Sequence, residues 1–190
     1  MLPRCFALVL FVVLLFCCHV ACPGQAPAPP PGDIYANFVG TWVGTDRYLK
    51  DGTDVTVTLR LEISETKKKD GLQCSYTYGE KGQKGFERSK RRLTLNPSTG
   101  EMTSHWNGHP TEHYEAKGLD EFAATGLGAF TAATNTKEDG KPVLYEGEFR
   151  LSQDKFSYKW DKSFDGKTFV RNGTITLERE ASIPSAGLHP

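Results

Sequence analysis

Apolar and polar side chains alternate along most of the chain after Asp33, and this pattern constrains the fold more than any other feature. In residues 55–63 every odd-numbered position is valine, leucine or isoleucine, and the even-numbered positions are Thr, Thr, Arg and Glu. The same alternation recurs at 72–78, 156–160 and 175–177. Successive side chains of a strand point to opposite faces, so each segment predicts a half-buried β-strand. No long segment has apolar residues at helical spacing, which predicts that any helix is short.

Short polar clusters separate these segments and contain residues that favour turns. They are Lys50-Asp51-Gly52, Lys69-Asp70-Gly71, Asn96–Gly100, Glu138-Asp139-Gly140 and Phe164–Lys167. Their spacing predicts successive hairpins and roughly eight to ten antiparallel strands. Strands with one apolar face each must stack as a sandwich or close into a barrel. We predict two further short strands in the alanine- and glycine-rich stretch Glu121–Thr134.

The first predicted strand carries a tryptophan between two glycines, in the order Gly40, Trp42, Gly44 on one face. Glycines allow a strand to bend sharply, and an indole ring can plug one end of a barrel. An arginine from a later strand can then cover the ring, and both Arg179 and Arg171 fit this position. The motif therefore favours the barrel.

With Gly-x-Trp at Gly40-Thr41-Trp42 and an arginine near the end of the domain, the chain resembles the lipocalin-like, or calycin, barrels. It looks most like small exported bacterial domains of unknown function, over residues 33–180. The resemblance implies an all-β, single antiparallel up-and-down barrel that holds a small apolar or amphipathic ligand. Some such barrels bind haem through a histidine near the C-terminal end of the fold. Here only His189 follows His113, so we expect no cofactor.

The N-terminus has the features of an export signal. Arg4 precedes an unbroken apolar run at residues 5–18, and small residues follow near Ala21. We expect a signal peptide at 1–22, a Pro/Ala-rich linker at 23–32, the barrel at 33–180 and a disordered tail at 181–190. These features predict a secreted or periplasmic protein.

Cys22 raises the alternative of a lipid anchor, because bacterial lipoproteins are cut before a cysteine that follows small residues. The preceding residues His19-Val20-Ala21 match this pattern in part, since histidine replaces the usual leucine. Ordinary cleavage is the favoured interpretation, with contact to a membrane only if Cys22 is lipidated.

Charge and cysteine content restrict the partners. Removal of the leader takes away Arg4 and no acidic residue, which leaves 22 basic and 23 acidic side chains. A net charge of −1 does not favour nucleic acid. Only Cys74 remains in the domain, where we expect a buried, unreactive thiol. The basic stretch Lys81–Arg92 is interpreted as a solvated hairpin, and the protein as a monomer.

No recognisable catalytic or metal motif is present. The three histidines at 105, 109 and 113 lie near Glu112, but Gly108 and Pro110 predict a loop, so we expect no metal site. The sequence has no Gly-x-Ser-x-Gly elbow, phosphate-binding glycine loop or Cys-x-x-Cys pair. An enzyme is therefore the third interpretation, after a ligand-binding barrel and a filled barrel that serves as a structural or protein-interaction module.

Alternation also predicts the side chains that face the barrel interior. With Ile175 and Leu177 inward, Arg171 points inward too and would either pair with an interior acidic group or meet the carboxylate of an amphipathic ligand. The predicted apolar wall is Tyr76, Tyr78, Phe149, Tyr158 and Trp160. A bulge at Asn172-Gly173 is the alternative, and it would turn Arg171 out to solvent.

Overall fold

The computed structural model describes residues 33–79 and 87–181, which form ten strands and one short helix. The strands are β1 (Gly40–Lys50), β2 (Thr53–Glu65), β3 (Leu72–Gly79), β4 (Glu87–Asn96), β5 (Glu101–Trp106), β6 (Thr111–Lys117), β7 (Gly128–Glu138), β8 (Lys141–Leu151), β9 (Lys155–Ser163) and β10 (Val170–Arg179). The helix α1 (Leu119–Thr125) lies between β6 and β7. The predicted signal peptide, the linker, Cys22 and the tail beyond residue 181 lie outside the described residues.

Each strand pairs with its neighbours in the chain in antiparallel order, and β1 also pairs with β10. The sheet therefore closes on itself as a ten-stranded up-and-down barrel. The predicted all-β fold and single barrel are confirmed, at the upper end of the predicted number of strands. Closure leaves no strand of this sheet with an unpaired edge that could template aggregation.

The alternation predicted from the sequence is the alternation of inner and outer barrel faces. In β2, Val57, Leu59, Leu61 and Ile63 are buried. The tight turns β1–β2 and β7–β8 each place two consecutive residues at positive φ, 51° and 76° at Asp51 and Gly52 in the first. Positive φ at both central residues suits the right-handed twist of a hairpin, which explains the Asp-Gly pair in each turn.

The prediction of two short strands in Glu121–Thr134 is wrong for its first part. Residues 119–125 form α1, and the strand β7 begins only at Gly128. Both ends of the helix are glycines in the left-handed conformation, which end the helix without strain. The ring of Phe122 lies 5.6 Å from that of Phe38 and 5.1 Å from that of Phe130, centroid to centroid. The helix therefore covers one end of the barrel.

In the described ranges, no helix is long and apolar enough to cross a bilayer.

Candidate ligand cavity

Trp42 closes the end of the barrel that α1 covers. Its side chain is fully buried, and its indole N–H donates to the carbonyl of Phe38 at 2.8 Å. The guanidinium of Arg179 lies over the ring and donates hydrogen bonds to the carbonyls of Asn37 and Val39, at 2.6 and 2.7 Å. Of the two arginines that the sequence left open, Arg179 covers the tryptophan.

The two glycines beside Trp42 are there because other atoms occupy the space of a side chain. Gly40 has φ of 137°, and a Cβ added to it would lie 2.7 Å from a terminal nitrogen of Arg179. A Cβ on Gly44 would overlap the backbone carbonyl of Thr176 in β10. Glycine at residue 40 therefore leaves room for the Arg179 side chain, and glycine at residue 44 allows β10 to lie close to β1 where the barrel closes.

A cavity of about 290 Å³ lies inside the barrel. All five aromatic residues predicted for its wall line it, namely Tyr76, Tyr78, Phe149, Tyr158 and Trp160. The lining also contains five aromatic residues that sequence reasoning did not select for it, namely Phe38, Trp106, Tyr114, Tyr145 and Phe156. The volume approaches the lower range of small-molecule sites, which are mostly apolar with a few polar groups.

Two glycines on the inner face give the aromatic rings of β9 their position. The ring of Tyr158 occupies the space of a side chain at Gly147, and the ring of Trp160 does so at Gly173. The two rings are stacked on each other, with centroids 5.2 Å apart and planes inclined by 16°. They therefore lie along the wall, against the backbones of β8 and β10.

Arg171 does not face this cavity. The pairing of β10 with β9 shifts register between Arg171 and Gly173, so one extra residue in β10 reverses the side on which Arg171 lies. The guanidinium is on the outer surface, with 53% of its side chain exposed, and its Nε lies 2.8 Å from a carboxylate oxygen of Asp161. The prediction of Arg171 as an interior ligand anchor is wrong, and the bulge at Asn172-Gly173 is the physical reason.

The arginine that does face the cavity is Arg91, on β4. Only 7% of it is exposed, although the sequence placed it in a solvated basic hairpin. Its Nε donates to the Ser104 hydroxyl at 2.7 Å, and its guanidinium lies 5.1 Å from the centre of the Trp106 ring. The signal in the sequence was the alternation of Arg91 with Leu93 and Leu95, which the surrounding charges concealed.

Asp46 is a second ionisable group that lines the cavity and that sequence reasoning missed. It lies two residues after Gly44 on the inner face of β1, and 7% of it is exposed. Its cross-strand neighbours are Val57 and Ile175, and its Oδ1 has no hydrogen-bond partner among the described residues. Burial without compensation raises the pKa of this carboxyl to about 6.

Cys74 is buried, as predicted, and lines the cavity next to Arg91 in the register of β3 and β4. Burial raises the pKa of its thiol to about 11. The thiolate is the reactive form of cysteine, so the thiol is inert at neutral pH.

The histidines lie apart from this cavity. His105 and His113 are exposed on β5 and β6, so the predicted loop is limited to the turn between those strands. His113 Nδ1 lies 2.8 Å from a carboxylate oxygen of Glu101. Among the described side chains, no group of three or more His, Cys, Asp or Glu residues is arranged to hold a metal ion.

Comparison with known proteins found no matching protein-family model and no matching curated protein.

Proposed function

We propose that the barrel binds a small, largely apolar or amphipathic molecule in its interior, as lipocalin-like proteins do. The cavity of about 290 Å³ with its aromatic wall carries this proposal. Eight-stranded barrels are just wide enough to be filled by side chains, and diameter grows with strand number, so ten strands give room for a ligand. The ten-stranded closed sheet and the Gly-x-Trp motif beneath Arg179 support the lipocalin-like assignment.

The apolar leader at 5–18 supports a place of action outside the cytoplasm, secreted or periplasmic, and we propose a monomer. Binding rather than catalysis is the function that we assign. The charged groups that line the cavity come from separate strands, Asp46 from β1, Arg91 from β4 and Glu112 from β6.

The test is saturable binding of phenylnaphthylamine, a neutral apolar dye that fluoresces strongly only in apolar surroundings. We expect the parent protein to bind it. Thr134→Phe should abolish binding, because Thr134 lines the cavity. Asn135→Phe should not, because the side chain of Asn135 is exposed on the outer face of the barrel. Equal dye binding in the two variants, or none in the parent, would favour the barrel as a packed structural module.

A further inference from the structure

Arg91 presents a buried positive charge to the cavity. Arginine stays protonated at any physiological pH, so this charge cannot be removed by titration. A buried charge costs several kcal/mol unless another group compensates for it. The side chain is 7% exposed and lies on the inner face of β4, between the buried hydroxyl of Ser89 and Leu93.

The groups that contact Arg91 are neutral, and the two carboxyl groups that line the same cavity, those of Asp46 and Glu112, form no ion pair with it. Ser104 accepts the hydrogen bond from Nε, the Trp106 ring lies beside the guanidinium, and the neighbouring Tyr76 is a phenol. Burial raises the pKa of Tyr76, so the phenol keeps its proton. No ion pair among the described side chains includes Arg91. Polar and aromatic contacts orient the charge, but none of them neutralises it.

We infer that the molecule bound in the barrel carries an oxyanion, a carboxylate, sulfate or phosphate, and that Arg91 binds this group. The inference rests on the ligand-binding function proposed above. The hydrogen bond from Nε to Ser104 fixes the plane of the guanidinium, and the Tyr76 hydroxyl is also hydrogen-bonded to this side chain. The N–H groups that Ser104 and Tyr76 do not use are available to an oxyanion, which guanidinium binds in a two-pronged geometry.

The aromatic wall offers an apolar surface to the part of such a ligand that carries no charge. Tyr76 stacks on Tyr78 and packs against Trp106, at centroid distances of 6.0 and 5.0 Å. The rings of Phe149, Tyr158 and Trp160 form the wall contributed by β8 and β9. An amphipathic anion satisfies both parts of the cavity, the charge at Arg91 and the apolar surface around it.

The experiment compares decanoate with decanol as competitors for bound phenylnaphthylamine at about pH 8. The two molecules have the same tail and differ in charge. Decanoate should displace the dye from the parent protein at lower concentration than decanol, although decanol is the more apolar. A charge-assisted hydrogen bond corresponds to roughly ten- to a hundredfold in affinity. Arg91→Met should reduce the preference for decanoate by that factor and still bind the dye.

Arg92→Met is the matched control, because Arg92 is the next residue of β4, faces outward and pairs with Asp70 at 2.9 Å. It should keep the preference of the parent. If Arg91→Met does not fold, the competition is measured in the parent protein and in Arg91→Lys, which keeps the charge and should keep the preference for decanoate. A parent protein that binds the dye but prefers decanol would overturn the oxyanion and leave the binding function intact. A parent protein that binds no dye would overturn both.

Discussion

The guanidinium carbon of Arg179 lies 4.1 Å from the centre of the Trp42 ring, at the point where the last strand of the barrel meets the first. The arginine also donates hydrogen bonds to three backbone carbonyls, of Asn37, Val39 and Gln153. The pair therefore joins the segment before β1, the β8–β9 turn and β10. The first and the last strand of the barrel are therefore held together by this one pair of side chains.

Trp42→Ala should lower the free energy of unfolding by about 3–5 kcal/mol, because it leaves a large cavity under Arg179. Urea denaturation measures this loss. Trp42→Phe keeps a ring beneath the guanidinium and should lose less. If Trp42→Ala unfolds at the same urea concentration as the parent, the tryptophan does not close the barrel.

Arg179→Met should cost about 1–3 kcal/mol, since the ring loses its cation and the carbonyls lose their donor. The exposed Arg150 provides the comparison. Arg150→Met should change stability by less than about 1 kcal/mol, because its ion pair with Glu148 is at the surface. Equal effects of the two substitutions would contradict the assigned role of Arg179.

Gly44→Ala should destabilise the barrel by about 1–3 kcal/mol, because the added methyl group overlaps the backbone of β10 and the strands must separate. Thermal unfolding followed by circular dichroism measures the effect. Val43→Ala, on the opposite face of the same strand, should cost less. An alanine at residue 44 that leaves the melting temperature unchanged would show that β1 and β10 approach less closely than described.

Asp46 should make the protein less stable as pH rises from about 4 to 7. Its folded-state pKa of about 6 lies above the ordinary aspartate pKa of 3.8, so the folded state retains a proton that the unfolded state has released. At neutral pH this difference costs up to about 3 kcal/mol. The lowered pKa values of Asp70, Glu138 and Glu148 act at lower pH.

The comparison for that prediction is Asp46→Asn, measured by urea denaturation at several pH values. The variant should lose most of the decline between about pH 4 and 7 and should match or exceed the parent at neutral pH. A decline of the same size in both proteins would mean that another group is responsible.

Arg171→Gln should leave dye and decanoate binding unchanged, because the side chain lies on the outer surface beside Asp161. The competition assay described for Arg91 measures this directly. A loss of decanoate preference in Arg171→Gln would place that side chain in the cavity and would contradict the bulge in β10.

Local patterns were enough to predict the barrel and much of its interior. Alternation depends on each strand alone, so residues 55–63 and 72–78 could be assigned to inner and outer faces without knowledge of their neighbours. Trp42 was recognisable because its flanking glycines leave room on the same face. These features require no long-range information.

The arginines show what local patterns miss. Arg91 follows the alternation of Leu93 and Leu95, but it lies in a run of basic residues, and composition alone favours solvent for such a run. The prediction for Arg171 fails in the opposite way, since a single extra residue between it and Gly173 moves its side chain from the inner to the outer face. The helix α1 has seven residues, too few for a periodic signal, and its burial depends on contacts with Phe38 and Phe130.

Gly147 and Gly173 have no side chains, yet they determine how wide the interior of the barrel is. An aromatic ring from the adjacent strand packs against the backbone of each glycine. The ring can lie flat along the wall because the glycine has no Cβ atom in that position. A methyl group at either position would tilt Tyr158 or Trp160 toward the axis and narrow the lumen. For the binding function proposed above, the size of molecule that fits would therefore depend partly on two residues without side chains, and selectivity could change without replacement of any aromatic residue of the wall.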